Sequence, residues 1–131
     1  MKSYPAVIGS SKPTGYSHVV AATGSKMVYV AGQIALDGEG KLVGAGDMAA
    51  QAKQVYENID RALAVAGATF ADVVKLNTYI VGLDADRMAA ARAARSAHVP
   101  GPNYPASTLV GVTALAMDGL LIEVEVVAIV E

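Results

Sequence analysis

The sequence predicts an α+β domain in which two helices cover one face of a mixed β-sheet. Three observations carry that expectation. Several runs are β-branched and extended, two segments repeat their apolar residues at helical spacing, and the order along the chain is strands, helix, strand, helix, then two closing strands. No low-complexity linker or internal repeat divides the chain, so residues 1–131 are read as one domain, a length that buries a core without disulfides or a structural metal.

The first strong strand signal is Lys26–Ile34, apolar on both alternating faces as a strand covered on both sides requires. His18–Ala22 is a shorter extended run ahead of it, and Thr23-Gly24-Ser25 between them suggests a hairpin. Asp37-Gly38-Glu39-Gly40 is a turn, followed by Leu42-Val43. The period then changes: Ala52, Val55, Ile59, Ala62, Leu63 and Ala66 fall on one helical stripe, with Lys53, Glu57, Asp60 and Arg61 opposite, and Gly67 is placed to cap the C-terminus. Val73–Val81 returns to strand character. A second, alanine-rich helix is expected from about Asp86 to His98, with Asp84 and Asp86 as capping residues, and Pro100-Gly101-Pro102-Asn103 ends it. Ala106–Leu115 and Leu120–Val130 close the chain and suggest a second hairpin turning at Met117-Asp118-Gly119. Gly9–Gly15, dense in Gly, Ser and Pro, reads as a loop.

Composition narrows the partners. Ten basic and twelve acidic residues, dispersed, leave a net charge of −2 and no basic stripe to follow a phosphate backbone, so nucleic acid is not expected. The absence of cysteine excludes a disulfide framework, a thiolate nucleophile and a thiolate zinc site, and no run of carboxylates has metal-ligand spacing. The opening Met1-Lys2-Ser3-Tyr4-Pro5 meets charge and proline before a signal-peptide core could form, and no stretch approaches a membrane span; a cytoplasmic location without membrane contact is expected. The hydrophobic fraction of 53% is more than one small core absorbs, which points to burial of the second sheet face between subunits.

Two places could carry chemistry. Strand alternation sets Leu121, Glu123, Glu125, Val127 and Ile129 on one face of the last strand, the two carboxylates about 7 Å apart. On pattern alone this is a solvated outer face; held among valines and leucines instead, a carboxylate would lose hydration, titrate higher and activate a water. Tyr16, Ser17 and His18 end the glycine-containing loop, where a phenol, a hydroxyl and an imidazole could face a pocket or simply order the loop. His98, at a helix C-terminus, reads as structural.

The loop Thr14-Gly15-Tyr16-Ser17-His18, the strand end Val30-Ala31-Gly32-Gln33-Ile34, the helix from Gln51 to Gly67, Asp72-Val73-Val74-Lys75, and the finish from Tyr104-Pro105-Ala106 through Leu121-Ile122-Glu123-Val124-Glu125 together resemble the RidA/YjgF family, over nearly the whole chain. The resemblance implies a chorismate-mutase-like fold, a homotrimer with three small-molecule clefts between subunits, and cofactor-free hydrolysis of reactive imines and enamines to a keto acid and ammonia. By the same resemblance Glu123 positions the attacking water, and Tyr16 and Gly32 line the pocket. The family pattern of proline, small residue, arginine reads here Pro105-Ala106-Ser107, so a hydroxyl stands where a carboxylate clamp is expected, and the family's asparagine on the second helix falls on Ala90. Ser107 and Thr108 are then expected to contact a neutral or differently anchored ligand. Arg87, Arg92 and Arg95 are read as solvated helix-surface cations, with one of them reaching into the cleft as the alternative. Two other functions stay open: a non-catalytic small-molecule-binding trimer, and ribonuclease, the least favoured given the charge.

Overall fold

The computed structural model describes all 131 residues. In chain order the elements are β1 (Lys2–Ser3), β2 (Ala21–Ala22), β3 (Lys26–Gln33), α1 (Met48–Val65), a 3-10 turn (Phe70–Asp72), β4 (Val73–Val81), α2 (Ala85–His98), β5 (Ala106–Val112) and β6 (Ile122–Val130). The four long strands form one mixed sheet in the order β3-β6-β4-β5, and the two helices pack on one of its faces. No helix is long and apolar enough to cross a membrane.

Helix α1 starts three residues before Gln51, the first residue of the expected helix. Asp47 caps it, its side chain accepting from the Ala50 amide at 3.1 Å. Its far end behaves as expected: Gly67, at φ +74°, lets its own amide reach Ala64 and the Ala68 amide reach Leu63, closing the orphan carbonyls of the last turn. The face so defined buries Met48, Gln51, Ala52, Val55, Tyr56, Ile59 and Leu63. It meets Val28 and Val30 of β3, Leu76 and Ile80 of β4, and Ile122, Val124, Val126 and Ala128 of β6. Each large apolar side chain enclosed this way stabilises the fold by about 1.5–3 kcal/mol.

Both expected hairpins are absent. Residues Ala21–Ala22 pair with Lys2–Ser3 in a separate two-stranded sheet, and Ser25 instead ties the start of β3 to the Val130 carbonyl of β6. Strands β5 and β6 are not neighbours. The β5 strand lies parallel to β4, with α2 as the crossover that a parallel pair requires. It ends opposite Val81, while β6 begins opposite Ile80, so residues 113–121 pass over the end of β4 rather than turning tightly. The physical reason is burial. Between β3 and β4, β6 has both edges paired and its apolar face covered by helix, whereas next to β5 it would be an edge strand.

Buried Gln51 organises that long connection. Its amide nitrogen donates to the carbonyls of Gly119 (2.8 Å) and Gly44 (3.1 Å), and its oxygen accepts from the Leu121 amide (2.8 Å). The second sheet face is apolar along β3, with Met27 56% and Tyr29 71% exposed in the protomer beside half-buried Val127 and Ile129.

Candidate functional site

Alternation along β6 places Glu123 and Glu125 on the sheet face away from the helices, as expected, because Ile122, Val124 and Val126 occupy the helix side. Opposite them β3 carries a bulge. Val30 pairs with Val126 and Gln33 with Val124, so Ala31 and Gly32 together face Glu125 alone. The extra residue turns the Gly32 backbone onto the Glu123 side chain. A Cβ at position 32 would lie 2.7 Å from the Glu123 carboxylate carbon and 3.0 Å from its Cγ, closer than atoms pack. Glycine lets the carboxylate lie directly against the backbone here, which brings together two of the residues singled out in the sequence.

The two glutamates have different surroundings. Glu125 accepts from the Tyr79 hydroxyl at 2.6 Å and from the Asn77 amide at 3.1 Å. The Tyr79 hydrogen bond, then that of Asn77, hold its carboxyl below the ordinary value against a smaller opposing effect of burial, while the bond to Glu125 raises the Tyr79 phenol. For Glu125 this goes against the alternative of a carboxylate that loses hydration and titrates high. Its neighbours are a phenol and an amide, not valines and leucines. Sequence reasoning passed over both donors, yet they were legible: Asn77 and Tyr79 alternate with buried Leu76, Thr78 and Ile80 and so must share the glutamates' face. Tyr79 lies in register with Glu123 but gives its hydroxyl to Glu125.

Tyr16 is positioned by the next residue. Ser17 donates its amide to the Pro105 carbonyl (3.1 Å) and its hydroxyl to the Tyr104 carbonyl (2.6 Å), and bridges to Ala106, pinning the loop beside the start of β5. The Tyr16 ring meets His18 edge-on at 5.5 Å, and His18 is held to the Ser11 carbonyl at 2.7 Å. Tyr16 is therefore near Ser107 along the backbone. Ser107 and Thr108 themselves diverge: Ser107 registers with fully buried Leu76 on the helix side, and Thr108 with Asn77 on the glutamate side, where Lys75 donates to its hydroxyl at 2.9 Å. Within one protomer Ser107 and Glu123 thus lie on opposite faces of the sheet, with β4 between their strands.

The helix arginines are not uniformly solvated. Arg92 is exposed, but Arg87 folds back to donate to the Val81 carbonyl, and Arg95 is half-buried against Gly15. His98 is structural, stacked on Tyr56 at 5.5 Å and against Phe70 at 5.3 Å. A broader concavity of about 650 Å³ lies between the Phe70 turn, the end of α2 and residues 2–4, and none of Tyr16, Gly32, Ser107, Thr108 or Glu123 lines it. No three His, Asp or Glu side chains converge in a way that could hold a metal ion.

Residues 9–130 match the family model described as Endoribonuclease L-PSP. The chain belongs to the RidA/YjgF/L-PSP family. A RutC family protein of Pyrococcus abyssi is 37% identical over 118 residues, covering 89% of this chain and 88% of that one. The 2-iminobutanoate/2-iminopropanoate deaminase of Rattus norvegicus is 34% identical over 126 residues, covering 95% of this chain and 83% of the rat protein. Among solved structures, the Rid family protein YyfB of Yersinia pestis, itself of unknown function, superposes with a TM-score of 0.90 at 37% identity, over 98% of both chains. The two-helix, four-strand architecture is therefore that of Rid structures.

Proposed function

We propose that this Rid-family chain is a cytoplasmic, cofactor-free hydrolase of reactive imines or enamines, acting in clefts between the subunits of a homotrimer. The observation that carries the reading is the Glu123 carboxylate laid on the Gly32 backbone, while the adjacent donors Tyr79 and Asn77 are engaged by Glu125. The rat relative's name supports the reaction class. An exposed apolar strip on the same face, Met27 and Tyr29, supports association.

In this reading Glu123 takes a proton from water as the water oxygen adds to the imine carbon. Glu123 returns that proton to the nitrogen to give the carbinolamine, and passage of the hydroxyl proton to the nitrogen through Glu123 then breaks the C–N bond, releasing ketone and ammonia and leaving Glu123 as it began. An enamine first tautomerises to the imine. Ligand contact falls to Tyr16, Ser107 and Gly32, with Thr108 at the margin. Because Ser107 and Glu123 occupy opposite sheet faces, a ligand touching both lies between two protomers. The Ser107 hydroxyl lacks the planar, charge-assisted grip of a guanidinium, so the standard amino-acid-derived imines are held differently or replaced by neutral ones.

Freshly generated 2-iminopropionate and uncharged imines test this directly. The parent protein accelerates hydrolysis of at least one class, and Glu123→Ala loses about 100-fold or more, the scale of a general base. No acceleration of either class, or a Glu123→Ala variant as active as the parent, refutes it. Saturable binding without turnover would favour the regulatory-trimer reading. RNA cleavage ranks below both, because the dispersed, net negative charge offers no phosphate track.

A further inference from the structure

Helix α2 sends one cation inward that the proposed hydrolysis does not use. Arg95 extends between the core and the glycine loop. Burial drives the Tyr56 phenol upward, and the charge of Arg95 works against that rise. Its guanidinium tip lies against Gly15, where an added Cβ would be 2.8 Å from Nη2, and the φ of +73° at that residue also favours glycine. The Nε proton is fully enclosed and meets no acceptor, and neither ion pair of the protein, Met1 with Glu131 and Lys41 with Glu39, involves Arg95. A half-buried guanidinium without a counter-charge is an unusual thing to keep, since charges withdrawn from water are normally paired.

What it faces gives the reason. The Gly15–Ser17 loop that Arg95 supports is pinned to Pro105 and Ala106, the residues immediately before Ser107. Ser107 shares the helix side of the sheet with Leu76, the side on which α2 packs. Arg95 and Ser107 therefore come to the start of β5 from the same side, one from the helix layer and one from the edge strand, with Tyr16 beside them.

We propose that Arg95 is the anion-binding residue of this cleft and takes the carboxylate of a small 2-imino or 2-oxo acid, the grip being supplied from α2 rather than from position 107. A carboxylate offers two oxygens to the planar guanidinium fork and supplies the missing counter-charge, which a neutral ligand does not. The assignment rests on the imine-hydrolase reading for its choice of ligand class, and it narrows that reading from a neutral or differently anchored substrate to an anchored anionic one.

The test compares pyruvate with its neutral amide, pyruvamide, by titration calorimetry on the intact protein. The parent should bind pyruvate about tenfold or more tightly than pyruvamide. Arg95→Gln should abolish that preference and change pyruvamide affinity less than about twofold, since only the charged contact is lost. Arg95→Lys, which keeps charge and stem but not the fork, should retain part of the preference and serves if the glutamine variant does not fold. A parent without preference for pyruvate, or a preference that survives Arg95→Gln, overturns the assignment, as does an equal weakening of both ligands, which is the mark of a structural role. Imine turnover measured in parallel keeps the two readings apart. An Arg95-dependent pyruvate preference without turnover upholds the anion site and sinks the hydrolase; turnover with a preference indifferent to Arg95 does the reverse.

Discussion

Replacing Gly32 by alanine tests the Gly32–Glu123 contact while leaving the carboxylate chemically intact. The new Cβ would sit 2.7 Å from the Glu123 carboxylate carbon, against about 3.5–4.0 Å for ordinary carbon contact, so the acid group must move by about 1 Å. Position 32 is not among the glycines with positive φ, so alanine can adopt the backbone, and it is less entropically costly than glycine in a strand. The clash falls on the mobile end of a side chain. Stability should therefore change by no more than about 1 kcal/mol. Catalysis should fall by about 100-fold, because a displacement of that size takes a reacting group out of line with its substrate. Initial rates of keto-acid formation and thermal unfolding on the same samples separate the two effects. On a Glu123→Ala background the same change should cost less than about threefold, since the group it displaces is gone. A Gly32→Ala protein with parental activity, or one whose loss persists undiminished without Glu123, refutes the claim that glycine is there to seat the carboxylate.

Three further outcomes are expected. Gln51→Leu takes the side-chain partner from the Gly119 carbonyl and the half-buried Leu121 amide, while the Gly44 carbonyl keeps its bond from the Asp47 amide; at about 1–3 kcal/mol for each buried orphan, tempered by rehydration of the exposed Gly119 end, the change should cost about 1–3 kcal/mol in denaturant titration, and a loss under about 0.5 kcal/mol would show that the connection does not depend on it. Tyr79→Phe removes the leading cause of the low Glu125 titration, so carboxyl carbon NMR should show Glu125 moving up toward the usual range. The sign for stability follows: the depressed Glu125 value means the bond's contribution is present above the unfolded carboxyl value and lost as pH falls through the folded one, and the raised Tyr79 value means it is lost again as pH climbs through the folded phenol's titration, so Tyr79→Phe should flatten both ends of the profile. Tyr29→Glu, on the exposed apolar strip, should reduce a particle of three chain masses in light scattering to one; a parent already at one chain mass would dismiss the shared cleft.

Much of the layout was legible because it is written in local periods. Alternation from Leu120 to Ala128 was enough to set Glu123 and Glu125 on the face opposite Ile122 and Val124, and the stripe from Ala52 to Leu63 was enough to call for a helix with Gly67 at its end. Those patterns depend on residues within a turn or two of one another, which is why they survive in the tertiary structure. The hairpin expectations failed for the complementary reason: a turn signal such as Met117-Asp118-Gly119 reports where the chain bends, not which strand it bends toward.

Partner choice was decided by burial across the whole domain. The gap between β3 and β4 covers the apolar side of β6 and pairs both its edges, and nothing within the 113–121 connection announces that. The same insertion laid Glu123 against the β3 bulge at Gly32 and put β4 between it and Ser107. Arg95 looked like any helix-surface cation in the sequence because its inward path depends on Gly15, eighty residues away, leaving room for it. Amino-acid order by itself settled which residues face together along each element; the three-dimensional structure alone settled which elements meet, because that choice is made by the competition for buried area among segments far apart in the chain.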